Sequence, residues 1–274
     1  MSEIKQGVSD SAVPKLADLE PGWVWLVGAG PGDPGLLTLL ATRALAQADV
    51  VVFDALVDER ILDLINPGAE RIFAGKRGGR PSANQDDISR QLVALAQDGK
   101  RVARLKGGDP CIFGRGGEEA LALARAGIPF RIVPGVTAGV GALAYAGIPA
   151  THRDAGTAIT FITGHATGSN VPDNLNWQAL AGGSPTLVIY MGLSHLGRIC
   201  AAIRDAGRAG DEPVAVICKA TTAAQSVLVT TLERAEDDAR TAALKPPALI
   251  VVGPIVRFRD ELAWFEQLVH AGAD

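Results

Sequence analysis

The chain is poor in cysteine and histidine, has no long apolar run, and carries no excess of positive charge. Its three cysteines (Cys111, Cys200 and Cys218) are spread over 274 residues without a C-x-x-C pair. That argues against a disulfide framework or a zinc site and fits a reducing compartment such as the cytoplasm, and no metal is expected. Of the four histidines, His165, His195 and His270 have no partner at a useful spacing and read as ordinary residues. No stretch approaches the roughly 20 apolar residues of a membrane helix. A net charge of −4 offers no field for nucleic acid or an anionic membrane surface. Any anionic ligand must therefore meet local cations. Residues 1–22 carry Lys5, Asp10, Lys15, Asp18 and Glu20 without the apolar core of a secretory signal, and read as a flexible N-terminal tail.

Apolar residues make up 47% of the chain, enough for a substantial core. They fall in a repeating pattern from residue 23. Short β-branched runs predict strands over 23–27, 50–53, 71–74, 101–105 and 130–133, with helices over 36–46 and 88–96 between them. Near-continuous apolar strands joined by helices imply a mostly parallel sheet covered on both faces. The second half predicts a helix over 137–145, strands over 158–163 and 186–191, and a helix over 194–205. Strands over 214–218 and 226–231 stand close enough for a hairpin, so this sheet is expected to be mixed. A helix over 232–243, a strand over 248–252 and a last helix from 260 complete the chain. The expected organisation is α/β, as two αβα domains over 23–135 and 136–274.

In an open α/β sheet, ligands bind beyond the carboxyl ends of the strands. Each strand of the first half ends there in something unusual. The first runs into Gly28–Gly35, the second into Asp54, and the third into Gly75, Lys76 and Arg77. The fourth gives Lys106, Gly107, Gly108, Asp109 and Pro110, and the fifth Pro134, Gly135, Val136 and Thr137. The first turn is not a dinucleotide fingerprint. Asp33 stands where that motif needs a third glycine, and Pro31 and Pro34 remove two backbone donors. Asp33 suits a helix cap instead. Gly107 and Gly108 let a ligand approach the backbone closely. Asp109 reads either as an acceptor for a ligand hydroxyl or ammonium, or as an Asp-Pro turn initiator. Arg115, set between glycines, is an unusual place for a mere surface charge. Glu118 and Glu119 read as acids complementing a helix start.

Ten segments in order carry a resemblance: VGAGPGD (27–33), VVFD (51–54), GKR (75–77), LKGGDP (105–110), FGRGGEE (113–119), PGVTA (134–138), GIP (147–149), THRD (151–154), YMGL (190–193) and ALIVVG (248–253). Together, over about residues 24–265, the chain resembles the tetrapyrrole methylase family. The resemblance implies S-adenosylmethionine held in a cleft between the two domains, and usually a homodimer. It implies methylation of uroporphyrinogen III at C-2 and then C-7, giving precorrin-2 by way of precorrin-1. It places donor contacts on Pro31, Gly107, Gly108, Asp109, Ile112, Thr137, Ala138, Met191, Ala220 and Ala248. Some relatives carry glycine where this chain has Ala220. It assigns proton acceptor and donor roles to Asp54 and Lys76, and links Arg115, Glu118 and Arg153 to substrate handling or proton removal. His152, beside Arg153, is a further candidate for shaping the substrate pocket. Some relatives are fused to a dehydrogenase–chelatase module. The short leader before residue 23 leads to the expectation that this enzyme stops at precorrin-2, which feeds cobalamin, sirohaem or haem d1.

Such a donor needs neither a metal nor a covalent nucleophile, because its leaving group is neutral. Alignment is the main task and can supply roughly 7–11 kcal/mol. The methylated pyrrole must then lose a proton, and a positioned base contributes roughly 10²–10⁴-fold. A carboxylate is the favoured base, since arginine stays charged. Arg115 and Arg153 are expected to hold the substrate's acetate and propionate groups as bidentate pairs.

Overall fold

Short segments of four to six residues, mostly apolar and β-branched, produce the strands, and the computed structural model describes residues 16–75, 85–164 and 175–266 of the chain. Strand β1 (Val24–Gly28), helix α1 (Leu39–Gln47), β2 (Val50–Phe53), α2 (Glu59–Leu62), β3 (Glu70–Phe73), α3 (Gln85–Gln97), β4 (Val102–Lys106), α4 (Gly116–Arg125) and β5 (Phe130–Val133) build the first half. The second half contains α5 (Ala138–Tyr145), β6 (Ile159–Thr163), α6 (Trp177–Gly183), β7 (Thr186–Tyr190), α7 (Leu196–Asp205), β8 (Pro213–Cys218), β9 (Ser226–Thr231), α8 (Ala235–Thr241), β10 (Ala248–Val252) and α9 (Arg259–Leu262). The helix expected over 36–46 starts later for a local reason. Asp33 caps a single 3-10 turn, Pro34–Leu36, and the Thr38 hydroxyl then accepts from Ala41 N–H to open α1. Helix α6, which the pattern reading passed over, is capped by Asn176.

The first sheet has the order β3-β2-β4-β1-β5, and every pairing in it is parallel. The connection after β1 leaves toward β2 while the one after β4 leaves toward β5. The strand ends of β1 and β4 are neighbours, so a crevice opens there. The second sheet has the order β6-β7-β10-β8-β9. Only β6 and β7 run parallel, and β8–β9 is the expected hairpin, so the sheet is mixed.

Helix α5 packs Ala142 and Leu143, with its C-cap Ala146, against Val188, Ala215 and Ile217 of the second sheet. The chain therefore changes sheets directly after β5. One expectation needs correcting: the end of the supposed tail is docked. Leu19 is 2% exposed within the first core, its N–H donates to Gln47 Oε1 at 2.8 Å, and Asp18 pairs with Arg43. Residues 1–15 lie outside the described residues.

Candidate active site

The turns after β1, β4 and β5 meet backbone to backbone. Gly30 and Gly108 exchange hydrogen bonds, N–H to O at 3.1 Å and 2.7 Å. Gly135 slots beside them: a Cβ there would stand 2.3 Å from the Gly108 carbonyl oxygen and 2.8 Å from Gly28 Cα. Only glycine fits such an approach, and this explains three of the glycine turns as packing. Asp109 fastens the same junction. One of its oxygens accepts from Cys111 N–H at 2.8 Å and the other from Gly135 N–H at 3.1 Å. Both readings of Asp109 thus start from a carboxylate already tied to the backbone.

Beyond this junction lies a cavity of about 570 Å³ between the halves. Five of the expected donor contacts line it: Pro31, Ala138, Met191, Ala220 and Ala248. Gly107, Gly108, Asp109 and Thr137 belong to the turns that meet beside it, and Ile112 follows them. Among the described residues no charged side chain lines the cavity. Tyr190, which the sequence reading did not single out, organises its floor. Its hydroxyl accepts from Gly139 N–H at 2.6 Å and is 2.7 Å from Thr137 Oγ1, so it takes the place of a cap at the start of α5. Burial pushes its hydroxyl pKa up, so it stays neutral. Its ring meets Phe113 and Phe161, with centroids 4.9 Å and 5.7 Å apart.

Met191 follows in a left-handed conformation (φ 55°), half exposed, and borders a second, more open depression of about 830 Å³. That depression is lined by Cys111, Phe113, Arg115, Gly117, Glu118 and Leu121 in addition to Met191. Phe113 and Arg115 also have positive φ, at 51° and 59°. Non-glycine residues held there are strained, and such strain gathers at functional sites. Arg115 grips Glu118 with both arms, Nε to Oε1 at 2.9 Å and the terminal nitrogen to Oε2 at 2.6 Å. That hydrogen bonding holds the Glu118 carboxyl below its ordinary range. The pair is more than half exposed, so it is worth at most about 1 kcal/mol and exchanges partners readily.

Asp54, at the end of β2, belongs to a charge cluster that the sequence reading missed. Arg104 Nη2 donates to Asp54 Oδ1 at 2.5 Å, and Lys106 Nζ lies 3.6 Å from Oδ2. Behind them Glu119 is fully buried. A single oxygen of it accepts from Arg104 Nε (3.1 Å), Lys106 Nζ (3.1 Å) and Gln85 Nε2 (2.9 Å). Glu119 does stand in the first turn of α4, and it is also the buried counter-charge of two cations. The signal was available: Arg104 and Lys106 alternate with Leu105 on a buried strand, on the face that α3 and α4 cover.

Two candidates stand apart. Lys76 lies outside the described residues, as do His165 and His270. Arg153 is exposed on the loop before β6, where the His152–Gly156 bridge packs against Pro185 and Thr186. Thr186 begins β7 and Tyr190 ends it, so the length of that strand, roughly 13 Å, separates Arg153 from the cavity. His152 is there too, its ring tilted against Phe258 with ring centres 4.2 Å apart. Trp264 and Phe265 lie against Tyr145.

The comparisons agree with this architecture. The family model described as Tetrapyrrole (Corrin/Porphyrin) Methylases matches residues 24–236. A uroporphyrinogen-III C-methyltransferase of Sinorhizobium is 60% identical over 253 residues, covering 92% of this chain and 90% of that protein. Siroheme synthase 1 of Yersinia enterocolitica is 54% identical over 246 residues, 90% of this chain but 51% of that protein, so the chain spans about half its length. Among solved structures, a Thermus thermophilus uroporphyrin-III C-methyltransferase complexed with S-adenosylhomocysteine superposes with a TM-score of 0.74 at 41% identity, covering 85% of this chain and 98% of that one. Cobalt precorrin-4 methyltransferase superposes with 0.76 at 29% identity, covering 86% and 96%. With its two sheets, the crevice between them and these matches over most of its length, the chain belongs to the tetrapyrrole methylase family.

Proposed function

We propose that the chain is a uroporphyrinogen-III C-methyltransferase, which uses S-adenosylmethionine to methylate C-2 and then C-7 and gives precorrin-2 by way of precorrin-1. The observation that carries this reading is the uncharged cavity between the sheets, half of whose expected donor contacts are in its wall, in a chain 60% identical to such an enzyme.

The cavity suits the donor. Its volume lies within the usual range for small-molecule sites, and its small side chains, Ala138, Ala220 and Ala248, leave room for a nucleoside. No lysine or arginine among the described residues of its wall would repel a sulfonium. When bound, the donor supplies a methyl group already activated for transfer to carbon. The chain's own contribution is to hold both partners in line, and turns locked backbone to backbone are stiff enough to do so.

The tetrapyrrole occupies the open depression beyond Met191 in this reading. Arg115 releases Glu118 and takes a substrate carboxylate in the same two-armed grip. Asp54 removes the ring proton after transfer, with Arg104 and Lys106 holding its carboxylate in place, and Lys76 is the proton donor. Glu118, held low while Arg115 grips it, loses that partner once Arg115 takes the substrate carboxylate. The enzyme works as a cytoplasmic homodimer. No described helix is long and apolar enough to cross a membrane.

The test is direct. Purified protein is given uroporphyrinogen III and S-adenosylmethionine under reducing conditions, and the product's mass should rise by two methyl groups. Absence of methylated product, or methylation at other ring carbons, refutes the assignment.

A further inference from the structure

Four side chains outside the cavity wall close a ring of hydrogen bonds between the two halves. The Tyr145 hydroxyl donates to Asp33 Oδ2 at 2.7 Å, although 112 positions separate them. The Asp33 backbone N–H donates to Thr221 Oγ1 at 2.9 Å. The Thr221 N–H donates to Gln225 Oε1 at 2.7 Å, and the Gln225 amide donates to the Tyr145 carbonyl oxygen at 3.1 Å, which completes the circuit. Asp33 Oδ1 meanwhile caps its own turn through Gly35 N–H at 2.8 Å. One carboxylate thus serves two tasks, and a cap needs only the first.

Three members of the ring are tied along the chain to a segment of the cavity wall. Asp33 stands two residues beyond Pro31. Tyr145 ends the helix that Ala138 begins. Thr221 follows Ala220. The ring therefore joins three separate wall segments, one from the first half and two from the second. Thr221 is buried with φ at 65°, a conformation that costs a β-branched residue energy and persists only where neighbours over-determine it. Tyr145 is braced from behind by the rings of Trp264 and Phe265, at 5.1 Å and 4.8 Å, and Trp264 Nε1 donates to the Ala144 carbonyl at 2.9 Å.

We propose that Asp33, Tyr145, Thr221 and Gln225 form a clasp that sets the spacing of the cavity walls and thereby the affinity for the methyl donor. They are positioning residues, because none of them lines the cavity. The inference rests on the reading that the donor occupies this cavity. Opening the clasp lowers the fraction of molecules whose walls stand at the binding distance, and the apparent Kd rises as the inverse of that fraction.

Isothermal titration calorimetry of the full chain with S-adenosylhomocysteine tests it, using Tyr145→Phe, Gln225→Met and the double variant. Each single change removes ring bonds with little change of shape and should weaken binding about three- to tenfold. The double variant should lose no more than the weaker single one, since a ring opened once is already open. At saturating donor, the Michaelis constant for the tetrapyrrole should stay within about twofold. A role in stability alone would lower the unfolding midpoint without moving donor affinity. Wild-type affinity in either single variant overturns the clasp, and so do losses that simply multiply. Ala248→Trp, which fills the cavity, separates the two ideas. Binding retained there removes the donor from this cavity and takes the clasp with it.

Discussion

Arg104 on β4 and Asp54, directly after β2, stand 2.5 Å apart, with the arginine side chain 2% and the aspartate side chain 28% exposed. The parallel register of β2 and β4 sets Val52 beside Arg104 and so carries Asp54 to the arginine's free arm. With Lys106 and Glu119 the cluster holds two positive and two negative groups, which is how four charges tolerate such burial.

Removing one charge should upset that balance. Glu119→Gln leaves Arg104 and Lys106 with a single carboxylate partner and should cost about 3–5 kcal/mol. Urea unfolding followed by circular dichroism measures it. A loss under about 1 kcal/mol would mean that the cluster is better solvated than its geometry indicates.

Asp54→Asn should separate binding from chemistry. Donor affinity is expected to stay at the wild-type level while turnover falls roughly 10²–10⁴-fold. Full activity would remove Asp54 as the base.

Arg115→Lys keeps the charge and loses the two-armed grip. The Michaelis constant for the tetrapyrrole should rise about tenfold, with a smaller change in turnover. Steady-state kinetics with an unchanged Michaelis constant would end the carboxylate-binding assignment.

Gly135→Ala tests the junction of turns. The added methyl meets the Gly108 carbonyl oxygen and Gly28 Cα, which are backbone atoms that cannot swing aside. A destabilisation of about 1–3 kcal/mol or more, with loss of donor binding, is expected from thermal unfolding and calorimetry. A variant with wild-type stability would show the turns to be looser than described.

Tyr145 gives a pH signature. Burial, and then the hydrogen bond to Asp33, raise its hydroxyl pKa from 10.0 to about 12. The folded chain keeps a proton that the unfolded chain releases near pH 10, so folding becomes less favourable as pH rises from 10 toward 12 and is untouched at neutral pH. Unfolding midpoints across that range should fall more steeply for wild type than for Tyr145→Phe. Identical slopes would place the alkaline loss elsewhere.

Local pattern accounts for much of what is legible in the sequence. Short β-branched runs interrupted by glycine and proline make strands and turns whatever surrounds them, so the sheet edge that carries Gly30, Gly108 and Thr137 can be read from residues 23–137 alone. The short spacing between β8 and β9 likewise determined that the second sheet is mixed. What tertiary structure alone decided are the partnerships. Asp33 reads as a cap because its first oxygen acts locally, while its second reaches Tyr145 across the molecule. Glu119 reads only as an acid complementing a helix start until β4 brings two cations beneath it. Arg153 sits near Thr137 in the chain, yet α5 and the return into β6 carry it to the far edge of the second sheet. Periodicity reports which face of its own element a side chain occupies, whereas its partner depends on strand order and on how far each connection runs before the chain turns back.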